Sequence, residues 1–437
     1  MAITRKSQSD VEKILLEKAL RNMPAGQLGN GSGDFETGFI VREGKGSKLY
    51  DFSDNEYIDY LLGSGPMVLG HSHPAVTSAV RDYLEKGSTY FIPNAAVIEL
   101  AEEIVKAVPC ADLVRFTTSG TDATFQCMRA ARAYRKRDKI LKFEGGFHGT
   151  SDYALQSVTP KNLLSFPDAE AGSGGIPKAI QETVLISPYN DLETTSRIIA
   201  DNHNELAGVI VEPMQRILTP VDGFLKGLRD LTSLYEIPLI FDEVVTGFRF
   251  AYGGAQEYYG VVPDLAALGK ILGGGYPLGA VVGRAEIMKV YDSSVAETGE
   301  FIPQIGTLNG NPIAATAGLA TLAEMRKPGT YEKLRSNGQT LKSALEEILN
   351  QAEIPVQVVG DDTVFNLYFT SQPITDYRST LSADNAALAK FNKLLLERGV
   401  IKPGEKFYMS VAHTPEDIQK TVDAISEAAE EMRATLV

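Results

Sequence analysis

From about residue 75 to residue 325 the chain alternates short apolar runs with longer stretches whose apolar residues recur at helical spacing. Leu113 to Phe116, Ile140 to Phe143, Thr183 to Ile186, Gly208 to Glu212, Pro238 to Asp242 and Leu278 to Val282 read as strands. Helical patterns lie between most of them. In Phe224 to Tyr235, for example, Leu225, Leu228, Leu231 and Leu234 share a face. Strands alternating with helices predict an α/β fold with a mainly parallel sheet covered on both sides.

The flanking regions have other patterns. Ser9 to Arg21 is helical in spacing, with Val11, Ile14, Leu15, Ala19 and Leu20 as its apolar positions. Gly38 to Leu62 reads as short strands with a turn at Glu43-Gly44-Lys45-Gly46, then Tyr50-Asp51-Phe52 and Tyr57-Ile58-Asp59-Tyr60. After Pro328 come a helix from Tyr331 to Asn350 and strands near Val356 to Val359 and Val364 to Phe369. A helix from Asn385 to Glu397 comes next, and a last one opens at Thr414-Pro415-Glu416-Asp417. The expected organisation is an N-terminal helix-and-strand segment (1–74), a large domain (75–325) and a C-terminal α+β domain (326–437).

Composition narrows the function. A chain of 437 residues is too long for one small core. Its net charge of −14 argues against a general nucleic-acid or anionic-membrane binder. Cys110 and Cys127 form no disulfide framework and no metal-ligand spacing, and both are expected in the apolar interior. Met1 to Ser7 carries no apolar signal segment, and no run approaches the roughly eighteen apolar residues of a membrane span. A cytoplasmic protein is the expectation.

Candidate chemistry gathers at strand ends. Val211-Glu212-Pro213 and Phe241-Asp242-Glu243 end apolar strands in carboxylates, where open α/β sheets collect ligands. Lys270 closes Ala267-Leu268-Gly269-Lys270, and Ile271-Leu272-Gly273-Gly274-Gly275 comes next. A desolvated lysine amine forms a Schiff base with an aldehyde cofactor, and an aspartate keeps a pyridine nitrogen protonated. Thr117-Thr118-Ser119-Gly120-Thr121 lies between a strand and a helix and reads as a phosphate cradle or as ordinary capping. Phe147 and His148, in Glu144-Gly145-Gly146-Phe147-His148-Gly149, read as a surface stacked on a flat ring or as a core-anchored loop. Gly306 and Thr307 offer further phosphate donors. The glycine-rich stretch Ala25 to Gly33 is a linker or an active-site loop. His71 and His73 lack convergent partners, and no metal site is expected.

On these strings the chain resembles class III, fold-type-I pyridoxal 5'-phosphate (PLP) enzymes, in particular the glutamate-semialdehyde aminomutase-like subgroup. The resemblance runs from about residue 10 to the end. It is carried by Arg115-Phe116 with Ser119-Gly120-Thr121, Lys142 to Gly149, Tyr189 to Glu193, Phe241 to Arg249, Pro263 to Gly275 and Gly306 to Pro312. It implies a large PLP-binding domain and a smaller α+β domain built from the N- and C-terminal segments. It also implies a homodimer with shared active sites. Lys270 would carry the cofactor, Asp242 would pair with the pyridine nitrogen, and Val244 would pack behind the ring. Phe147 would cover the other face, where the subgroup usually has tyrosine, with His148 beside it. Ser119, Gly120 and Thr121 would bind phosphate, Thr307 would do so from the neighbouring subunit, and Glu212 would sit by the ring hydroxyl.

The departures concern the substrate. The aminomutase holds its substrate carboxylate with an arginine in the segment equivalent to Pro24 to Phe35, and here no arginine lies between Arg21 and Arg42. The family tryptophan after the Tyr-Ile-Asp-Tyr string is replaced by Ser64, and the chain has no tryptophan. Losing a charge-assisted clamp predicts an aminotransferase, working by a ping-pong cycle through Lys270, in preference to the aminomutase, while the motifs themselves do not separate the aminotransferase from a related aminomutase or racemase. Ser32 and Ser64 predict a roomier, less cationic pocket. Glu405 and Lys406 are expected at its entrance, with Lys402, Lys406 or Arg398 available to a substrate acid.

Overall fold

The computed structural model describes residues 5–29, 38–402, 404 and 406–434. Three short strands come first: β1 (Val41–Lys45), β2 (Lys48–Asp51) and β3 (Glu56–Asp59), paired antiparallel in sequence. The turn between β1 and β2 is Gly46-Ser47, not Glu43 to Gly46 as the sequence predicts. Glu43, Gly44 and Lys45 are strand residues, and Gly46 alone takes the left-handed φ of 57° that the tight turn needs.

Seven strands build the central sheet: β4 (Leu113–Thr117), β5 (Lys139–Phe143), β6 (Val184–Ser187), β7 (Leu206–Val211), β8 (Leu239–Glu243), β9 (Leu265–Leu268) and β10 (Gly279–Gly283). Their order is β4-β10-β9-β8-β7-β5-β6. β10 runs antiparallel to both its neighbours, and all the other pairings are parallel. The six predicted strands are all present. β9 is the addition. Its Leu-Ala-Ala-Leu run is short and half alanine, a residue with little strand preference, and burial on both faces alone makes it a strand.

β11 (Gln357–Asp361), β12 (Val364–Tyr368) and β14 (Phe407–Tyr408) form a third sheet, while β13 (Val400–Ile401) pairs parallel with β3. The β3–β13 pairing ties the N-terminal strands to the C-terminal part of the chain. The N-terminal helix Asp10–Asn22 forms with Ser9 as its cap, but its apolar stripe is not its buried face. Val11, Ile14 and Leu20 are exposed, while Leu16 and Glu12 face inward. Glu12 is held there by Ser53 and by the Ile40 amide at 2.7 Å. Both cysteines are free and buried. No helix among the described residues is long and apolar enough to cross a membrane.

The helix Pro312–Met325 is rich in small residues because it lies against backbone. A Cβ on Gly318 would stand 2.2 Å from the Leu272 carbonyl oxygen, and one on Gly274 would stand 2.6 Å from the Ala317 carbonyl oxygen. The helix therefore buttresses the turn that starts at Lys270. Gly318→Leu is expected to destabilise the protein by about 1–3 kcal/mol, the range for overpacking a close contact. Thermal melts check this, and an unchanged melting temperature would refute the buttress.

Candidate functional site

Strands β4, β5, β7, β8 and β9 deliver residues to one cavity of about 690 Å³. Successive side chains on a strand point to opposite faces, and the end of β8 uses this. Asp242 lines the cavity, while Glu243 turns away and accepts hydrogen bonds from the Ala255 amide and the Thr246 hydroxyl. Burial raises the Glu243 pKa to about 7 against those donors. Asp242 is oriented from two directions. His148 Nδ1 lies 2.8 Å from Oδ2, and the Val244 amide donates to Oδ1 at 3.1 Å. A carboxylate only accepts, so His148 carries its hydrogen on Nδ1. Its Nε2 is buried with no partner among the described residues. A carboxylate offers about four acceptor positions, so Asp242 retains capacity for one more donor, such as a protonated ring nitrogen.

Lys270 opens a 3-10 turn immediately after β9 and has a left-handed φ of 48°. Such backbone is uncommon outside glycine and persists where the surroundings enforce it. Lys270 Nζ donates to the Ser64 carbonyl at 2.9 Å, and burial lowers its pKa from the ordinary 10.5. The predicted Ser64 thus meets the lysine through its backbone.

The helix Gly120–Arg135 starts where β4 ends, and both readings of that turn hold. Ser119 caps the helix, accepting from the Asp122 amide at 3.1 Å, while Ser119, Gly120 and Thr121 also line the cavity. First-turn amides lack intrahelical partners and carry positive potential, which suits a phosphate. Close approach accounts for the glycines here. A Cβ on Gly120 would lie 2.6 Å from Val244 Cγ1, and one on Gly149 would lie 2.5 Å from Thr121 Oγ1. The donors, the acid and the amine therefore fit PLP.

The Phe147 loop is fixed from below. Buried Lys142 donates to the carbonyls of Gly146 (3.0 Å), Ala154 (3.1 Å) and Gln156. Burial pulls its pKa to about 7, while three carbonyls for three ammonium hydrogens favour the charged form. Phe147 is not core: it lines the cavity and is 38% exposed. Glu212 Oε2 accepts the Phe147 amide at 3.0 Å, and Oε1 accepts the Arg216 amide at 3.3 Å.

Among the predicted entrance residues, Lys406 lines the cavity. Arg398 does not: it bonds Glu427 at 3.1 Å and Glu431 at 2.9 Å. Lys402 is turned toward the Gly404 carbonyl and the Phe407 ring and is absent from the lining. Ser32 and Glu405 lie outside the described residues. Thr307 is exposed and away from the cavity of its own chain. His71 is engaged by Asp59 at 2.7 Å, and no cluster of three metal-ligating side chains occurs among the described residues. Arg216 also lines the cavity, with its guanidinium 5.4 Å from the Phe147 ring centre. Sequence reasoning passed over it, although it stands four residues after the strand-end acid Glu212.

The chain is 42% identical to the glutamate-1-semialdehyde 2,1-aminomutase of Natranaerobius thermophilus, over 90% of this chain and 91% of that one. It is 41% identical to the same-named protein of Methanocaldococcus jannaschii, with the same shares covered. Among solved structures, an omega-transaminase from Sphaerobacter thermophilus matches at a TM-score of 0.90 and 35% identity, over 96% of this chain and 97% of that one. A transaminase with PLP bound matches at 0.88 and 27% identity, over 97% of each. The Aminotransferase class-III family model matches residues 31–429. A match over that span, onto a site that fits PLP, makes this chain a member of the class-III aminotransferase family of PLP-dependent enzymes.

Proposed function

We propose that the chain is an aminotransferase that moves an amino group from an amine or amino acid to a keto acid or aldehyde. The observation that carries the reading is the convergence in one cavity of Lys270, the doubly oriented Asp242 and the helix N-terminus at Ser119. PLP bound there supplies an electron-withdrawing ring that eases loss of a proton from the substrate carbon. Lys270 is the anchoring amine and the group that takes that proton and returns it. Its lowered pKa provides a neutral amine at a pH where a surface lysine is charged. Asp242 keeps negative charge facing the ring nitrogen. Ser119, Gly120 and Thr121 hold the phosphate, Phe147 and Val244 enclose the ring, and Glu212 stands by its hydroxyl.

A second reading is glutamate-1-semialdehyde 2,1-aminomutase. The names of the relatives in Natranaerobius and Methanocaldococcus favour it, and on names alone it is the better supported of the two. What supports the aminotransferase is specific to this chain: no arginine between Arg21 and Arg42, where the aminomutase places its carboxylate clamp, and the likeness to the Sphaerobacter omega-transaminase.

A homodimer in the cytoplasm completes the proposal. Phe91 (65% exposed), Ile92 (70%) and Ile305 (78%) surround a cleft that also contains Val97 and Gly306. Apolar patches of this kind mark protein contacts, and Thr307 lies in the same segment. A second copy seated there would bring Thr307 to its phosphate.

Three measurements test these readings. With a nitrogen-15-labelled donor and an unlabelled keto acid, label is expected in the amine formed from the keto acid, and Lys270→Ala abolishes the transfer. Isomerisation of glutamate semialdehyde without such exchange would establish the aminomutase instead. Capture of PLP by the apoenzyme should rise with pH, because the neutral amine reacts, with a midpoint below 10.5. A midpoint at or above that value refutes the burial argument. Co-expressed Lys270→Ala and Thr307→Glu chains, each inactive alone, should form mixed dimers with one intact site and regain activity. No recovery would remove Thr307 from the shared site.

A further inference from the structure

We propose that Arg216 holds the acid group of the substrate amino acid or keto acid. The inference rests on the reading of the Lys270 cavity as an amino-transfer site. Its ligand class is a carboxylate, bound on the Phe147 side of the cavity.

Placement is the first argument. Arg216 lines the same cavity as Lys270, Phe147 and Lys406. Its guanidinium lies 5.4 Å from the centre of the Phe147 ring, a distance at which a cation is drawn to an aromatic face. That packing holds the head group beside Phe147, in the cavity that a substrate for Lys270 has to enter.

The second argument is backbone cost. Arg216 and Ile217 form a two-residue turn closed on both sides: Gln215 N donates to Leu218 O at 3.0 Å, and Leu218 N donates to Gln215 O at 2.8 Å. The first position of this turn has a φ of 59°. Turns that need a positive φ favour glycine or asparagine there. Arginine adds strain on the order of 1 kcal/mol that the turn itself does not require. The strained residue is also pinned, since Glu212 Oε1 accepts its amide at 3.3 Å. Retained strain at a cavity wall points to a job for the side chain.

Chemistry supplies the third argument. A planar guanidinium matches a carboxylate in a two-pronged hydrogen bond. The chain has no arginine between Arg21 and Arg42, so a cation for a substrate acid has to come from elsewhere in the fold. Of the alternatives, neither Arg398 nor Lys402 lines the cavity, and Lys406, which does, offers a point charge in place of a planar fork.

The test exploits the turn. Arg216→Gly removes the guanidinium and relieves the positive φ, so the variant should melt no lower than the parent. Holoenzyme is mixed with amino-acid donors, each paired with the amine that has hydrogen in place of the carboxyl group. The absorbance of the lysine-bound cofactor is then monitored. The ratio of kcat/KM for acid over acid-free donor should fall roughly a hundredfold in Arg216→Gly, mainly through KM. Arg216→Lys should restore part of it. Calorimetry with glutarate, which cannot react, should show a parallel loss of affinity. An unchanged ratio with unchanged glutarate affinity overturns the proposal. So does an equal fall for both donor classes, which would mean a structural role. Failure of the underlying reading looks different: no donor changes the absorbance of the parent, or Lys270→Ala responds as the parent does. The glutarate titration decides Arg216 even then.

Discussion

The Lys270 amine is held largely out of water in the cavity that Asp242 also lines, and the surrounding fold enforces that placement. Water holds lysine protonated, and a protonated amine neither anchors an aldehyde nor takes a proton from carbon. The solution is local and rigid. β9 ends, the backbone turns left-handed at Lys270, and a helix made of small residues closes from behind, with Gly318 and Gly274 in backbone contact. Glycine and alanine there are the condition for the two backbones to touch, which explains a helix with no pronounced polar face.

Asp242 is managed by the same economy of position. Pleating sends it to the cavity and sends its neighbour Glu243 to the Ala255 amide, so two adjacent buried acids meet separate sets of donors. Buried charges without partners are costly. His148 and the Val244 amide meet that cost for one acid, and the Thr246 hydroxyl and the Ala255 amide for the other. Lys142 in turn fixes the loop that brings His148 in.

Much of this was legible in the chain. Asp242, Glu212 and Lys270 stand out because a charged residue at the end of an apolar run needs a reason, and the Ser119 to Thr121 turn sits at a strand-to-helix junction. The illegible parts depend on geometry that sequence does not encode locally. β9 is hidden because Leu-Ala-Ala-Leu is a strand only by burial. The Asp10–Asn22 stripe misleads because Glu12, not Val11 or Ile14, faces inward. Arg398 sits near Lys406 in sequence, yet it closes a helix against Glu427. Arg216 escapes notice because a left-handed backbone aims it, in a turn where glycine would be the expected residue.

Glu212 links two of these features. One oxygen holds the Phe147 amide and the other the Arg216 amide, so two residues of the cavity wall hang from a single side chain. Two segments that are remote in sequence therefore share one anchor, and loss of the carboxylate at 212 would release both at once. On the proposed roles, a residue kept for the cofactor would then also limit how far the neighbouring surface at 216 can change.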